Sequence, residues 1–187
     1  MTDQRIINSV RRWVETVVVG LNLCPFAKRE LVKNRVRFVV TKAKTEEHLL
    51  IALQAELELL NREPSVETTL LVHPNVLRDF DDYNQFLNDA DALLVQTNLE
   101  AVYQIASFHP DYQFAGTEAG DVENYTNKSP YPMLHLIREA SVERAIDNYP
   151  EVDKIPARNT ELMNTEGEDK MKELLQACYR DKGAGVE

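Results

Sequence analysis

Residues 36–41 read VRFVVT, residues 68–73 read TTLLVH, and between them leucine stands at 49, 50, 53, 57 and 60. The flanking runs are short and β-branched, as strands are, while leucines three and four apart make one apolar stripe on a helix. Thr45 suits the helix N-cap, Glu46 and Glu47 favour its first turn, and Pro64 lies just past its end. Strand, helix, strand is a βαβ unit, with parallel strands and a right-handed crossover expected.

The pattern repeats toward the C-terminus. A helix is predicted from Asp79 to Val95, burying Phe80, Tyr83, Leu87, Ala90 and Leu94, and AVYQIASF (101–108) reads as a third strand. The predicted class is therefore α/β: a small, mostly parallel sheet with a βαβαβ core, flanked by helices, and a helical C-terminal third. A ferredoxin-like α+β arrangement is the rival. In the first helix, Ile6, Ile7, Val10, Val14, Val17, Val18 and Leu21 form the buried stripe. Thr2 or Asp3 suits its cap, and Gly20 suits a left-handed end. Pro25 keeps Cys24 out of a helix, so LNLCPFA reads as a tight apolar turn holding one thiol.

Ser129-Pro130 looks like the start of another helix, on which His135 and Arg138 would share a face. Ser141 suits a restart after Ala140. Leu162, Met163, Met171, Leu174, Leu175 and Cys178 supply the last apolar stripe, with Gly167 as a point of interruption. One domain is expected over 1–187, with a disordered tail at 181–187.

Composition narrows the function. A formal net charge of −10 and a pI near 4.9 argue against nucleic-acid binding, which needs a cationic surface. Lys28, Arg29, Lys33, Arg35, Arg37, Lys42 and Lys44 nevertheless stand against only Glu30 in one stretch. That stretch reads either as a guarded strand edge or as a positive wall for an anionic ligand. No apolar run approaches the roughly 20 residues that cross a bilayer, and no secretory pattern opens the chain. Two distant cysteines, Cys24 and Cys178, suit a reduced cytoplasmic protein. Oligomeric state is not legible.

Chemistry-bearing residues gather at strand ends. The second strand ends in His73-Pro74 and the third in His109-Pro110-Asp111-Tyr112. Ligands of open α/β sheets bind outside the carboxyl ends of strands. The segment from His109 to Lys128 is long for a loop, which favours a functional role. His109 is the candidate acid/base or ligand, Asp111 its orienter and Cys24 a nucleophile, while His73, Asn127, Ser129, His135 and Arg138 complete a pocket. Cys24, His73, His109, Asp111 and His135 could alternatively supply donors to a divalent metal ion. Each residue also has a plain reading. A strand-end histidine can bond a loop carbonyl, Asp111 can cap a turn, and Cys24 can pack as a small hydrophobe. His48 reads as surface, and Cys178 as core.

LNLCPFAKRE, SFHPDYQFAGT and NYTNKSPYPMLHLIRE together resemble a bacterial, mainly proteobacterial family of unknown function. The resemblance implies a single compact domain in bacterial cytoplasm, and it brings no activity, substrate or cofactor. Lys128 stands where that family's pattern would carry arginine, which weakens a bidentate anion contact there. Two functions stay open. One is a small-molecule enzyme with a thiol- or metal-assisted Cys/His/Asp site at the strand carboxyl ends. The other is a non-catalytic ligand-binding or protein-interaction module, for which His109 should be buried and fully hydrogen-bonded.

Overall fold

A computed structural model of the chain describes residues 2–147, 149 and 151–180. The expected tail at 181–187 lies outside the described residues. In chain order the elements are α1 (Asp3–Trp13), continued by a π-helical turn (Val14–Val19), then α2 (Ala27–Val32) and β1 (Val36–Val40). They continue with α3 (Glu46–Arg62), β2 (Thr68–Val72), α4 (Phe80–Gln96) and β3 (Tyr103–Phe108). A 3-10 turn (Val122–Thr126), β4 (Met133–Arg138), α5 (Glu139–Asp147), a second 3-10 turn (Val152–Lys154), α6 (Ile155–Glu166) and α7 (Glu168–Tyr179) complete the chain.

The four strands form one mixed sheet in the order β1-β2-β4-β3. β1 and β2 are parallel, whereas β4 runs antiparallel to both β2 and β3. The predicted mostly parallel sheet is thus corrected, because β4 occupies the place between the second and third strands. This segment was expected to be helical, from SPYP onward. Met133-Leu-His-Leu-Ile-Arg138 is a short, mainly apolar run preceded by Pro130 and Pro132, and such a run serves a buried central strand as well as a helix. Ladders on both sides decide for the strand. His135 and Arg138 consequently point to opposite faces of the sheet, not to one helix face.

Two helical layers cover the sheet. On one face, α3 and α4 bury Leu49, Leu53, Leu57, Leu60, Tyr83, Phe86, Ala90 and Leu94 against Leu71, Tyr103, Leu134 and Leu136. On the other, α1, the π-helical turn, α6 and α7 bury Ile6, Val10, Trp13, Val17, Met163, Met171 and Cys178 against Leu70, Val72 and Met133. The alternation along β2 and β4 sends successive side chains into different cores. Thr45 caps α3 through its hydroxyl, which accepts the His48 N–H at 3.2 Å.

Gly20 does not take the left-handed conformation expected of it; Asn22 does, with φ 53°. Gly20 is instead a close approach, where an added Cβ would collide with the Thr16 carbonyl. Gly167, at φ 77°, divides the final apolar stripe into α6 and α7. The C-terminal part is otherwise helical, although α5 begins at Glu139 with no break for Ser141.

Candidate functional site

β1, β2 and β3 point the same way, so their carboxyl ends share one edge of the sheet. Val72, Met133 and Phe108 lie in one row across it. His73 and His109 follow immediately on the flanking strands, separated by the N-terminal end of β4. Both imidazoles turn toward α4 and meet on Tyr83, with ring centroids 5.7 Å and 5.1 Å from its ring. The Tyr83 hydroxyl donates to the Met133 carbonyl at 2.8 Å and accepts the Phe108 N–H at 3.0 Å.

Both histidines are fully buried, at 0% exposure, and hold loops. His109 Nδ1 accepts the Asp111 N–H at 3.0 Å, which leaves Nε2 protonated to donate to the Leu77 carbonyl at 3.2 Å. Leu77 has φ 54°, a left-handed conformation that is costly for leucine. His73 Nδ1 donates to the Val76 carbonyl at 3.0 Å in the same β2–α4 loop, and its Nε2 has no partner among the described residues. Burial pushes the His73 pKa down to about 4 and lowers that of His109, so both rings are neutral at pH 7. Asp111 reaches His109 through its backbone N–H, while its side chain is exposed.

The other expected site residues lie apart. The Thr68 hydroxyl donates to the Leu136 carbonyl at 2.6 Å, so His135 Nε2 must be the donor in its 2.7 Å contact with that hydroxyl. Burial lowers the His135 pKa. The Arg138 guanidinium donates to the carbonyls of Leu60 at 2.6 Å and Val66 at 3.0 Å, and to the Tyr103 hydroxyl at 3.1 Å. It ties α3 to the sheet. The Ser129 hydroxyl donates to the Tyr131 carbonyl at 2.8 Å and is buried. Four of the seven cations in the basic stretch are paired: Arg29 and Arg35 with Glu30, Arg35 also with Glu67, Arg37 with Glu56, and Lys42 with Asp3.

Cys24 and Asn127 meet at a different place. A cleft of about 560 Å³ opens on the α1/α6 side of the carboxyl edge. Val18, Leu23 and Cys24 line it from the turn after α1, and Phe108, Phe114, Thr117, Glu123, Thr126 and Asn127 from the end of β3 and the long loop. The start of α6, with Ile155, Pro156, Asn159 and Thr160, closes the far side. Ligand pockets commonly run from about 300 to 1,000 Å³. A second hollow, of about 230 Å³, is smaller and holds the Asp3–Lys42 ion pair.

The cleft is braced across the chain. Asn159 Nδ2 donates to the Leu23 carbonyl at 2.9 Å, and the Arg158 guanidinium donates to the Asn22 carbonyl at 2.6 Å. These bonds hold the LNLCPF turn against α6. Asn124, fully buried, accepts from the Phe114 N–H and the Thr117 hydroxyl, both at 2.9 Å, and ties down the long loop. Glu123, Phe114 and Asn159 were not expected at a site. Phe114 stands inside the quoted SFHPDYQFAG run, whereas Glu123 and Asn159 carry no local signal, because only tertiary packing makes them neighbours.

Cys24 thus lies on the α1/α6 side of the sheet, and the His73–Tyr83–His109 group on the α4 side. Among the described residues, no three of His, Cys, Asp and Glu gather into a group that could hold a metal ion. The candidate donors Cys24, His73, His109, Asp111 and His135 are not brought together: Cys24 and His135 lie on the α1/α6 side, and His73 and His109 on the α4 side. No helix of the described residues is long and apolar enough to cross a membrane.

Residues 5–173 match the model of a family described as "Protein of unknown function (DUF1415)". No curated protein and no solved structure matches the chain.

Proposed function

The chain belongs to that family of unknown function, and from that premise we propose that it is a ligand-binding protein whose cleft beside Cys24 takes a small, mainly apolar molecule. The carrying observation is the cleft itself: apolar Val18, Leu23, Phe108, Phe114, Ile155 and Pro156 around a few polar groups. Apolar walls supply the affinity of such a pocket, and sparse polar groups orient the ligand. The hydrogen bonding of His109 favours binding over acid/base chemistry, since both its nitrogens are engaged. The reading sets the protein in a reducing, cytoplasmic environment, in keeping with the free thiols of Cys24 and Cys178.

A second reading, thiol chemistry on a ligand held in the same cleft, is favoured by one observation: the Cys24 side chain lines it. Its base would have to come with the substrate or from Glu123, because His73 and His109 face the other side of the sheet.

Nile red, an apolar dye, tests the binding reading on the full chain. Saturable one-to-one binding is expected. It should disappear once Cys24 is alkylated with a benzyl maleimide, while a Cys24→Ser protein treated identically keeps it. Cys178 is buried in the α7 core and should stay unmodified. Dye binding that survives the Cys24 adduct sinks the cleft as the binding site.

A further inference from the structure

The polar groups around the cleft differ in what they leave open. The Asn127 side-chain nitrogen is turned onto the Ser107 carbonyl at 3.1 Å, and that of Asn159 onto the Leu23 carbonyl at 2.9 Å. The Thr117 hydroxyl reaches the Phe114 carbonyl and Asn124 Oδ1, both at 2.9 Å, and the Thr126 hydroxyl donates to the Glu123 carbonyl at 2.9 Å. These four donors are therefore directed back into the protein, and among the described residues the Thr160 hydroxyl and the Cys24 thiol are the lining donors that no bond engages. Since a backbone carbonyl only accepts, the amide orientations are fixed, and Asn127 is left presenting its oxygen. The Glu123 carboxylate and Asn127 Oδ1 have no partner among the described residues. Among the described residues, Glu123 is also the only charged residue that lines the cleft.

A lining with one negative charge beside a free amide oxygen favours a ligand that brings a positive charge and donors. We propose that the ligand is an apolar molecule bearing a protonated amine, with its ammonium group held between the Glu123 carboxylate and Asn127 Oδ1. This deepens the binding proposal and rests on it. An ammonium group carries three donors and no acceptor, so it can donate to both the Glu123 carboxylate and Asn127 Oδ1. The apolar walls strengthen the charge interaction relative to bulk water. The net charge of −10 works in the same direction, drawing cations toward the protein. An anionic ligand, expected from the Lys28–Lys44 stretch, would meet an unpaired carboxylate in this cleft.

Three compounds with one apolar body isolate the head group: 3-phenylpropylamine, 3-phenylpropan-1-ol and 3-phenylpropionate. Calorimetric titration into the full chain at pH 7 and low salt should rank the amine first and the carboxylate last. The amine should bind about tenfold more tightly than the alcohol. Glu123→Gln should remove about that factor for the amine relative to the alcohol, and added salt should narrow the gap in the wild type. A carboxylate that binds as tightly as the amine overturns the inference, as does an amine preference that survives Glu123→Gln. So does failure of all three compounds to bind when Nile red does, and in each of these cases the cleft reading stands. If Nile red also fails, the cleft reading falls and takes this inference with it.

Discussion

His109 Nδ1 accepts the Asp111 N–H at 3.0 Å while its Nε2–H donates to Leu77, so one ring joins the turn after β3 to the loop after β2. Both bonds lie at the sheet edge that carries the cleft, and the ring is packed on Tyr83 and Phe80. His109→Ala leaves the Asp111 N–H and the buried Leu77 carbonyl without their partner, beside a cavity. It should cost about 3 kcal/mol, read as a lower urea midpoint. His109→Asn keeps one donor and one acceptor on a shorter side chain, and should recover part of that loss.

Acid should unfold the protein through its buried imidazoles. His73 is neutral when folded, with its pKa pushed down to about 4 from an ordinary value of 6.5. Below pH 6.5 the unfolded chain takes up the proton and the folded one does not. Stability is therefore complete above about pH 6.5 and falls as pH drops toward 4. His73 alone accounts for up to about 3 kcal/mol of that fall. The lowered His109 and His135 act in the same direction. Urea melts between pH 8 and pH 4.5 measure it, and a flat profile below pH 6.5 contradicts it.

Arg138 should prove to be a structural cation. Its guanidinium reaches two carbonyls and the Tyr103 hydroxyl from the last position of β4. Lysine cannot span three such acceptors, so Arg138→Lys should cost about 1–2 kcal/mol. Millimolar phosphate, compared with chloride at equal ionic strength, should raise the melting temperature of neither protein. A phosphate-specific rise lost in the variant would restore the anion-binding role.

Much of this architecture was readable from periodicity. α3 and α4 came with their caps and buried faces because a long amphipathic helix repeats its signal several times. β1, β2 and β3 were marked by β-branched runs between helices. β4 escaped because a six-residue, mainly apolar run after a proline fits either element, and ladders to segments some 30 and 65 residues away settled it. The strand-end histidines could be located by the same logic that located the strands. Whether their nitrogens were free could not, since Leu77 and Val76 enter only through folding. The cleft is the extreme case: its walls come from residues 18–24, 108–127 and 155–160, brought together by tertiary contacts such as Asn159 to Leu23.

Thr69 offers a stabilising change. It sits in β2 between β1 and β4 at 0% exposure, and its hydroxyl has no partner among the described residues. Valine has the same branched shape without the unpaired group, and suits a strand at least as well. Thr69→Val should raise stability by about 1 kcal/mol in urea denaturation. A loss would mean that the hydroxyl is bonded in solution.

Trp13 should report on the cleft. It is the only tryptophan, and it packs edge-on against Phe108 with ring centroids 5.1 Å apart. Its indole N–H donates to the Lys128 carbonyl at 3.1 Å, at the end of the long loop. Phe108 lines the cleft on its other side, so a molecule seated there lies one ring away from the indole. Indole emission responds to the polarity and motion of such neighbours. Titration with 3-phenylpropylamine should therefore shift Trp13 emission with the same midpoint as calorimetry. Phe108→Leu keeps an apolar wall but removes the ring between indole and ligand. It should reduce the fluorescence response far more than the affinity, whereas binding remote from the cleft would leave the response of the two proteins alike.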